Sequence, residues 1–64
     1  MRLDAFTELA ADVLGAKLDP VYQGAHGLDH RRVYDATANG IFVRINTTPG
    51  TYRCVTVAHI YPAD

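Results

Sequence analysis

Apolar residues at Leu3, Phe6, Leu9, Ala10, Val13 and Leu14 recur at intervals of three and four, the spacing that gathers side chains on one face of an α-helix. Alanine and leucine favour the helix, and no proline interrupts it before Pro20. Gly15 follows the last apolar pair and suits the left-handed conformation that ends many helices, while Asp19-Pro20 blocks continuation. The pattern predicts a helix over about residues 2–15. Periodicity is then lost. Residues 19–30, with Pro20, Gly24 and Gly27, read as a connector, within which Val21-Tyr22-Gln23 can form a short strand.

Beyond residue 30 the apolar period shortens to two. Asn39-Gly40 is the preferred pair for a two-residue type I′ turn and lies between β-rich runs, predicting strands over about residues 31–38 and 41–47. Such a turn sets Ala38 opposite Ile41, Ala36 opposite Val43, Asp35 opposite Arg44 and Tyr34 opposite Ile45. Ile41, Val43 and Ile45 then share a face with Tyr34, Ala36 and Ala38, and Asp35 and Arg44 form a favourable cross-strand charge pair. Pro49-Gly50 marks another turn, before a strand expected over about residues 52–61. The hydrophobic pattern places Val55 beside Ile45 and Val57 beside Val43; a one-residue slip would bring Cys54, Thr56 and Ala58 there instead. Val33 and Phe42 fall on the outer face. With Ile60 or Tyr61 they make an apolar patch there, unless the connector folds over it. The fold class expected is α+β: one domain over residues 1–64, with an amphipathic helix on one face of a three-stranded antiparallel meander, in α-β-β-β order.

Composition fits a small folded protein, since 48% hydrophobic and 20% charged residues argue against disorder. A domain of 64 residues buries only about 60% of its unfolded surface, so one core is expected. The single cysteine, Cys54, allows no internal disulfide and points to a reducing, cytoplasmic setting. Asp4, Glu8 and Asp12 interrupt what would otherwise be the apolar core of a leader, and no apolar run reaches the ~20 residues of a membrane span. From Met1 to the apolar strand near its end, the chain reads as a complete small protein.

Candidate chemistry is sparse. His26, His30 and His59 with Cys54 make a zinc set only on paper, because structural zinc sites usually present paired cysteines at short spacing. Gly27-Leu28-Asp29-His30, followed by Val43-Arg44-Ile45, resembles the restriction-like nuclease modules of bacterial toxins. The later strand lacks that family's carboxylate and lysine, and Asp29 alone does not hold a catalytic metal. Cys54 falls within the predicted last strand, where a structural thiol is the usual case. No nucleophile elbow or phosphate-binding loop is present. The expectation is a protein that is not an enzyme and uses neither cofactor nor metal.

Charge changes the picture further. Asp4, Glu8, Asp12, Asp19 and Asp29 outweigh Arg2 and Lys17 in the first half, whereas Arg31, Arg32, Arg44 and Arg53 outweigh Asp35 and Asp64 in the second. Asp4, Glu8 and Asp12 recur every four residues and form an acidic stripe along the helix, away from its apolar face. Such a stripe is either a solvated surface or one that engages a basic groove on a partner, and Asp19 extends the same acidic half. The alternative uses the arginines, with Phe42 and Tyr52, as a sheet face for stacking bases and contacting phosphates. A sequence pI near 6.2 and a single lysine weigh against it.

Taken from Met1-Arg2-Leu3-Asp4-Ala5-Phe6-Thr7-Glu8-Leu9 through Lys17-Leu18-Asp19-Pro20 to the Ala38-Asn39-Gly40-Ile41 hairpin, this small, slightly acidic chain resembles the anti-CRISPR proteins of phages and mobile elements. It is most similar to small inhibitors of type I systems, those of type I-C included. The resemblance spans the whole chain but rests on size and character, not on a motif, so no residue carries over as a signature. It implies a phage protein acting in the bacterial host cytoplasm. There it would inhibit a Cas protein or Cascade-type complex, as a monomer or weak homodimer, without binding nucleic acid or membrane directly. It also implies mimicry of DNA phosphates by acidic side chains, which makes Asp4, Glu8, Asp12 and Asp19 the candidate partner-binding residues.

Overall fold

The computed structural model describes residues 1–27 and 30–63. In chain order its elements are α1 (Leu3–Leu14), β1 (Val21–His26), β2 (Arg31–Ala38), β3 (Ile41–Thr47) and β4 (Val55–Pro62). The strands form one antiparallel sheet in the order β1-β2-β3-β4, and α1 packs on one face of it. The class is α+β, with a correction: the sheet has four strands, not three. The additional strand, β1, lies inside the stretch read as connector. It is an edge strand with no buried residue, so no run of core side chains announces it. Its pairing with β2 also shifts at a bulge between Tyr22 and Gly24, where Gly24 takes a φ of 116°.

Both ends of α1 are tied to distant parts of the chain. At the start, the Leu3 amide donates to the Arg53 carbonyl at 2.8 Å, and the Val55 amide donates to the Met1 carbonyl at 2.7 Å. The Asp4 carboxylate accepts from the Ala5 amide at 2.8 Å, meeting another of the first-turn donors that a helix leaves open. At the other end, Gly15 adopts a φ of 70° and the Ala16 amide closes back on the Ala11 carbonyl at 3.2 Å, a Schellman ending. The Asn39 side-chain amide then donates to the Leu14 carbonyl at 2.6 Å, so the hairpin turn also caps the helix.

The β2–β3 hairpin has the register that its Asn-Gly turn predicts, from Ala38 opposite Ile41 to Tyr34 opposite Ile45. Tyr34, Ala36, Ala38, Val43 and Ile45 join Leu18 in the buried core, and Leu3, Phe6, Ala10 and Leu14 of α1 pack against it. The apolar stripe of α1 is wider than the face the sheet covers: Leu9 and Val13 remain 51% and 78% exposed.

The last strand departs from its expected register. Ala58, not Val55, lies opposite Ile45, and Ile60, not Val57, lies opposite Val43. The cause is an irregularity at Asn46/Thr47, where β4 advances two residues, from Val57 to Val55, against one step of β3. Val55 therefore packs against the core together with Ala58, while Val57 turns to the outer face. That face carries three cross-strand rows: Val33-Asn46-Val57, Asp35-Arg44-His59 and Thr37-Phe42-Tyr61. Phe42 and Tyr61 fall there as a tilted pair 6.0 Å apart, whereas Ile60 belongs to the helix side. Val33 is buried even so, paired with Gly24 of β1 at the bulge.

Candidate binding cleft

Between α1 and the segment that leads into β1 lies a cleft of about 470 Å³. Asp4, Thr7, Glu8 and Ala11 line it from the helix, Lys17 to Pro20 from the segment, and Tyr34 from β2. The segment is held by Leu18, which is 1% exposed and belongs to the core. Burying Leu18 brings its neighbour Asp19, which no helical spacing relates to Asp4 or Glu8, to the same opening. Of the residues singled out as acidic partner contacts, Asp4, Glu8 and Asp19 thus line one cleft. Asp12 is exposed but does not line it. The reason is geometric, because each four-residue step advances about 40° around a helix and carries Asp12 away from the Asp4 side.

The charges here are solvated. Asp4 lies 3.9 Å from the Arg2 guanidinium and Asp19 lies 3.6 Å from the Lys17 ammonium, each pair with exposed partners. Surface pairs of this kind contribute little to stability and leave the carboxylates open to a competing cation. Tyr34 is the contrasting element. It is 6% exposed, and its buried hydroxyl has no hydrogen-bond partner among the described residues. Its ring meets Tyr22 at 5.3 Å, and the Arg53 guanidinium sits 5.7 Å from the ring centre. A buried hydroxyl normally finds a partner, and this one is closed off from solvent without one. Sequence reasoning placed Tyr34 in the core and missed this second aspect; the available signal was a polar-tipped aromatic among small core residues.

The arginines are not brought together. Arg44 is on the outer face, donating to Asp35 through Nε and Nη2 at 2.9 Å each, with its guanidinium 5.8 Å from the Phe42 ring centre. This bidentate bond holds the Asp35 carboxyl below its ordinary range, against a smaller opposing effect of burial. Arg32 pairs across to Thr47, on the helix side of the sheet, and donates to the His30 carbonyl at 2.7 Å. Arg53 lies beside Tyr34, while Tyr52 stacks against Arg2, at 5.0 Å.

Among the described residues no group of three or more His, Cys, Asp or Glu is placed to hold a metal ion. Asp29, the acid of the nuclease-like segment, lies outside the described residues. Among the described residues, no helix is long and apolar enough to cross a membrane. Compared with known proteins, the chain matches no family model, no curated protein sequence and no solved structure.

Proposed function

We propose that this chain is a non-enzymatic inhibitory binding protein of the anti-CRISPR kind, whose acidic helix flank occupies a positively charged, nucleic-acid-binding groove on a protein partner. The observation that carries this reading is the gathering of Asp4, Glu8 and Asp19 around one cleft that Tyr34 also lines. An arginine or lysine side chain of the partner, inserted there, meets carboxylates from two separate elements. Asp12, outside the cleft, adds to the general acidic field. The partner class, a CRISPR surveillance complex or its nuclease, comes from the likeness of the whole chain to small type I inhibitors.

The test is a target-DNA binding assay with a reconstituted type I-C surveillance complex. The native chain is expected to block DNA binding, and a chain carrying Asp4→Asn, Glu8→Gln and Asp19→Asn to lose the block while remaining folded by circular dichroism. Unchanged inhibition by that variant would refute the acidic cleft. The arginine-based alternative, a small nucleic-acid-binding module, requires the native chain itself to retard DNA or RNA in a low-salt gel shift. Arg44 lies on the outer face of the sheet and Arg32 on the helix side, so the two do not share one sheet face, which gives it little support.

A further inference from the structure

The turn between β2 and β3 ties together the ends of two other elements. The Asn39 side-chain amide donates to the Leu14 carbonyl at the end of α1, 2.6 Å away, and the Ala63 amide just beyond β4 donates to the Gly40 carbonyl at 2.8 Å. Both turn residues are exposed. Asparagine is a heat-labile residue, because the amide nitrogen of the residue that follows it can attack its side-chain carbonyl carbon. Glycine in that following position, with no Cβ, leaves the approach least hindered.

The surroundings do not hinder it either. The space that a Cβ would take at Gly40 is open, with no atom of the surrounding structure within 4 Å, and the Gly40 amide has no hydrogen-bond partner among the described residues. The other asparagine, Asn46, is the contrasting case. It is half-buried within β3, paired to Val33 and Val57, and followed by the β-branched, buried Thr47.

We infer that Asn39 is a modification site: it deamidates through Gly40, and its bond to the Leu14 carbonyl both guards against the reaction and is destroyed by it. The Gly40 nitrogen gives its proton to water and bonds to Asn39 Cγ. The Cγ–Nδ2 bond breaks, and that nitrogen takes a proton from water and leaves as ammonia. Water then opens the cyclic imide on either side, giving aspartate or isoaspartate, so that water is consumed, ammonia is released and nothing is oxidised or reduced. While Nδ2 is bonded to Leu14, the side chain is fixed on the helix and is not free to swing towards Gly40. Opening of the last turn of α1 releases it. Either product carries a carboxylate, which accepts hydrogen bonds and does not donate them, so the Leu14 carbonyl loses this partner. Isoaspartate also lengthens the main chain next to Gly40 and shifts the carbonyl that Ala63 meets. A transient opening of the helix end thereby becomes permanent, which makes the turn a one-way switch. This inference is independent of the proposed partner.

Peptide mass spectrometry with electron-transfer fragmentation separates aspartate from isoaspartate. It is applied to the native chain incubated at mildly alkaline pH, beside the same chain in denaturant. Conversion of Asn39 is expected in both, several-fold slower in the folded chain, where Asn46 stays unchanged. Gly15→Ala strains the helix ending, where Gly15 has a φ of 70°, and leaves the Asn39-Gly40 pair intact; conversion several-fold faster than in the native chain is expected. A second measurement needs no variant. In denaturant too dilute to unfold the native chain, conversion should rise in step with hydrogen exchange of the Gly15 and Ala16 amides, which bond to the Ala11 carbonyl. Converted protein, isolated by ion exchange, should exchange those amides faster than the unconverted chain. A folded chain that stays unconverted while the denatured chain converts fully overturns the inference, as do equal rates in the two. Conversion indifferent to the opening of the helix end overturns it, and so does a product whose Gly15 and Ala16 amides exchange as before.

Discussion

On its β2 side, α1 meets the Lys17–Pro20 segment, anchored by a Leu18 that is 1% exposed; on its β4 side it meets no covering segment, and Val13 stands 78% exposed. The polar flank is thus the structurally supported one, and the apolar flank is the one left open. A helix in a single-domain protein ordinarily shows the reverse, with its apolar stripe covered and its charges free. The difference teaches that the stripe of α1 is wider than the core requires. Of the acidic residues, Asp4, Glu8 and Asp19 line a cleft while staying solvated, and Asp12 lies outside it.

The largest test of this contrast is Leu18→Ala. Removing a fully buried leucine is expected to cost about 2–5 kcal/mol, whereas Val13→Ala, on the open flank, should change the stability of the monomer by less than about 0.5 kcal/mol. Chemical denaturation of both variants checks it, and equal losses would erase the distinction. Next is Asn39→Gly, which keeps a left-handed turn residue but removes the hydrogen bond to the Leu14 carbonyl. A loss of about 0.5–1.5 kcal/mol is expected, with faster exchange of amides in the last turn of α1, where the two flanks meet. Smaller again is Glu8→Gln with Asp19→Asn. No resolvable change in the unfolding midpoint is expected, although partner binding should fall, because these carboxylates are solvated in the free protein.

The smallest effect lies off both flanks. Asp35 is bonded by Arg44 and its folded pKa is depressed. Its contribution is therefore fully present above the unfolded carboxylate value of about 3.9 and fades as pH falls through the lower folded value. In acid titrations of stability the native chain should lose this contribution in that range and Asp35→Asn should not. A native curve superimposable on that of the variant would mean the pair is broken in solution.

The parts of the fold that sequence reasoning reached are those set by neighbours along the chain. The hairpin register follows from two residues, Asn39 and Gly40, whose positive φ values of 52° and 77° satisfy the turn. The apolar spacing of α1 likewise follows from helical geometry. Of β1 only a possible short strand at Val21-Tyr22-Gln23 was legible, because its residues are not buried and its place is decided by pairing with β2, a relation that local pattern does not encode. In β4 the alternation Val55, Val57 suggested a regular ladder with both on the core, but the irregularity beside Thr56 separates them, leaving Val55 on the core and turning Val57 outward. The acidic stripe shows the same division. Asp4 and Glu8 are one helical turn apart, whereas Asp19 reaches them only through the burial of Leu18, and Asp12 drifts off around the helix.

Asn39 also narrows the substitutions open to this chain. A type I′ turn by itself accepts Asn, Asp or Gly at this position. The bond to Leu14, 25 residues away in sequence, requires a donor, which neither Asp nor Gly supplies from its side chain. An Asp would in addition set a carboxylate against the negative end of the helix. A site that looks interchangeable from the turn alone is therefore held to one residue by the helix that packs beside it, and relatives that depart from Asn there should carry a compensating change at the end of that helix.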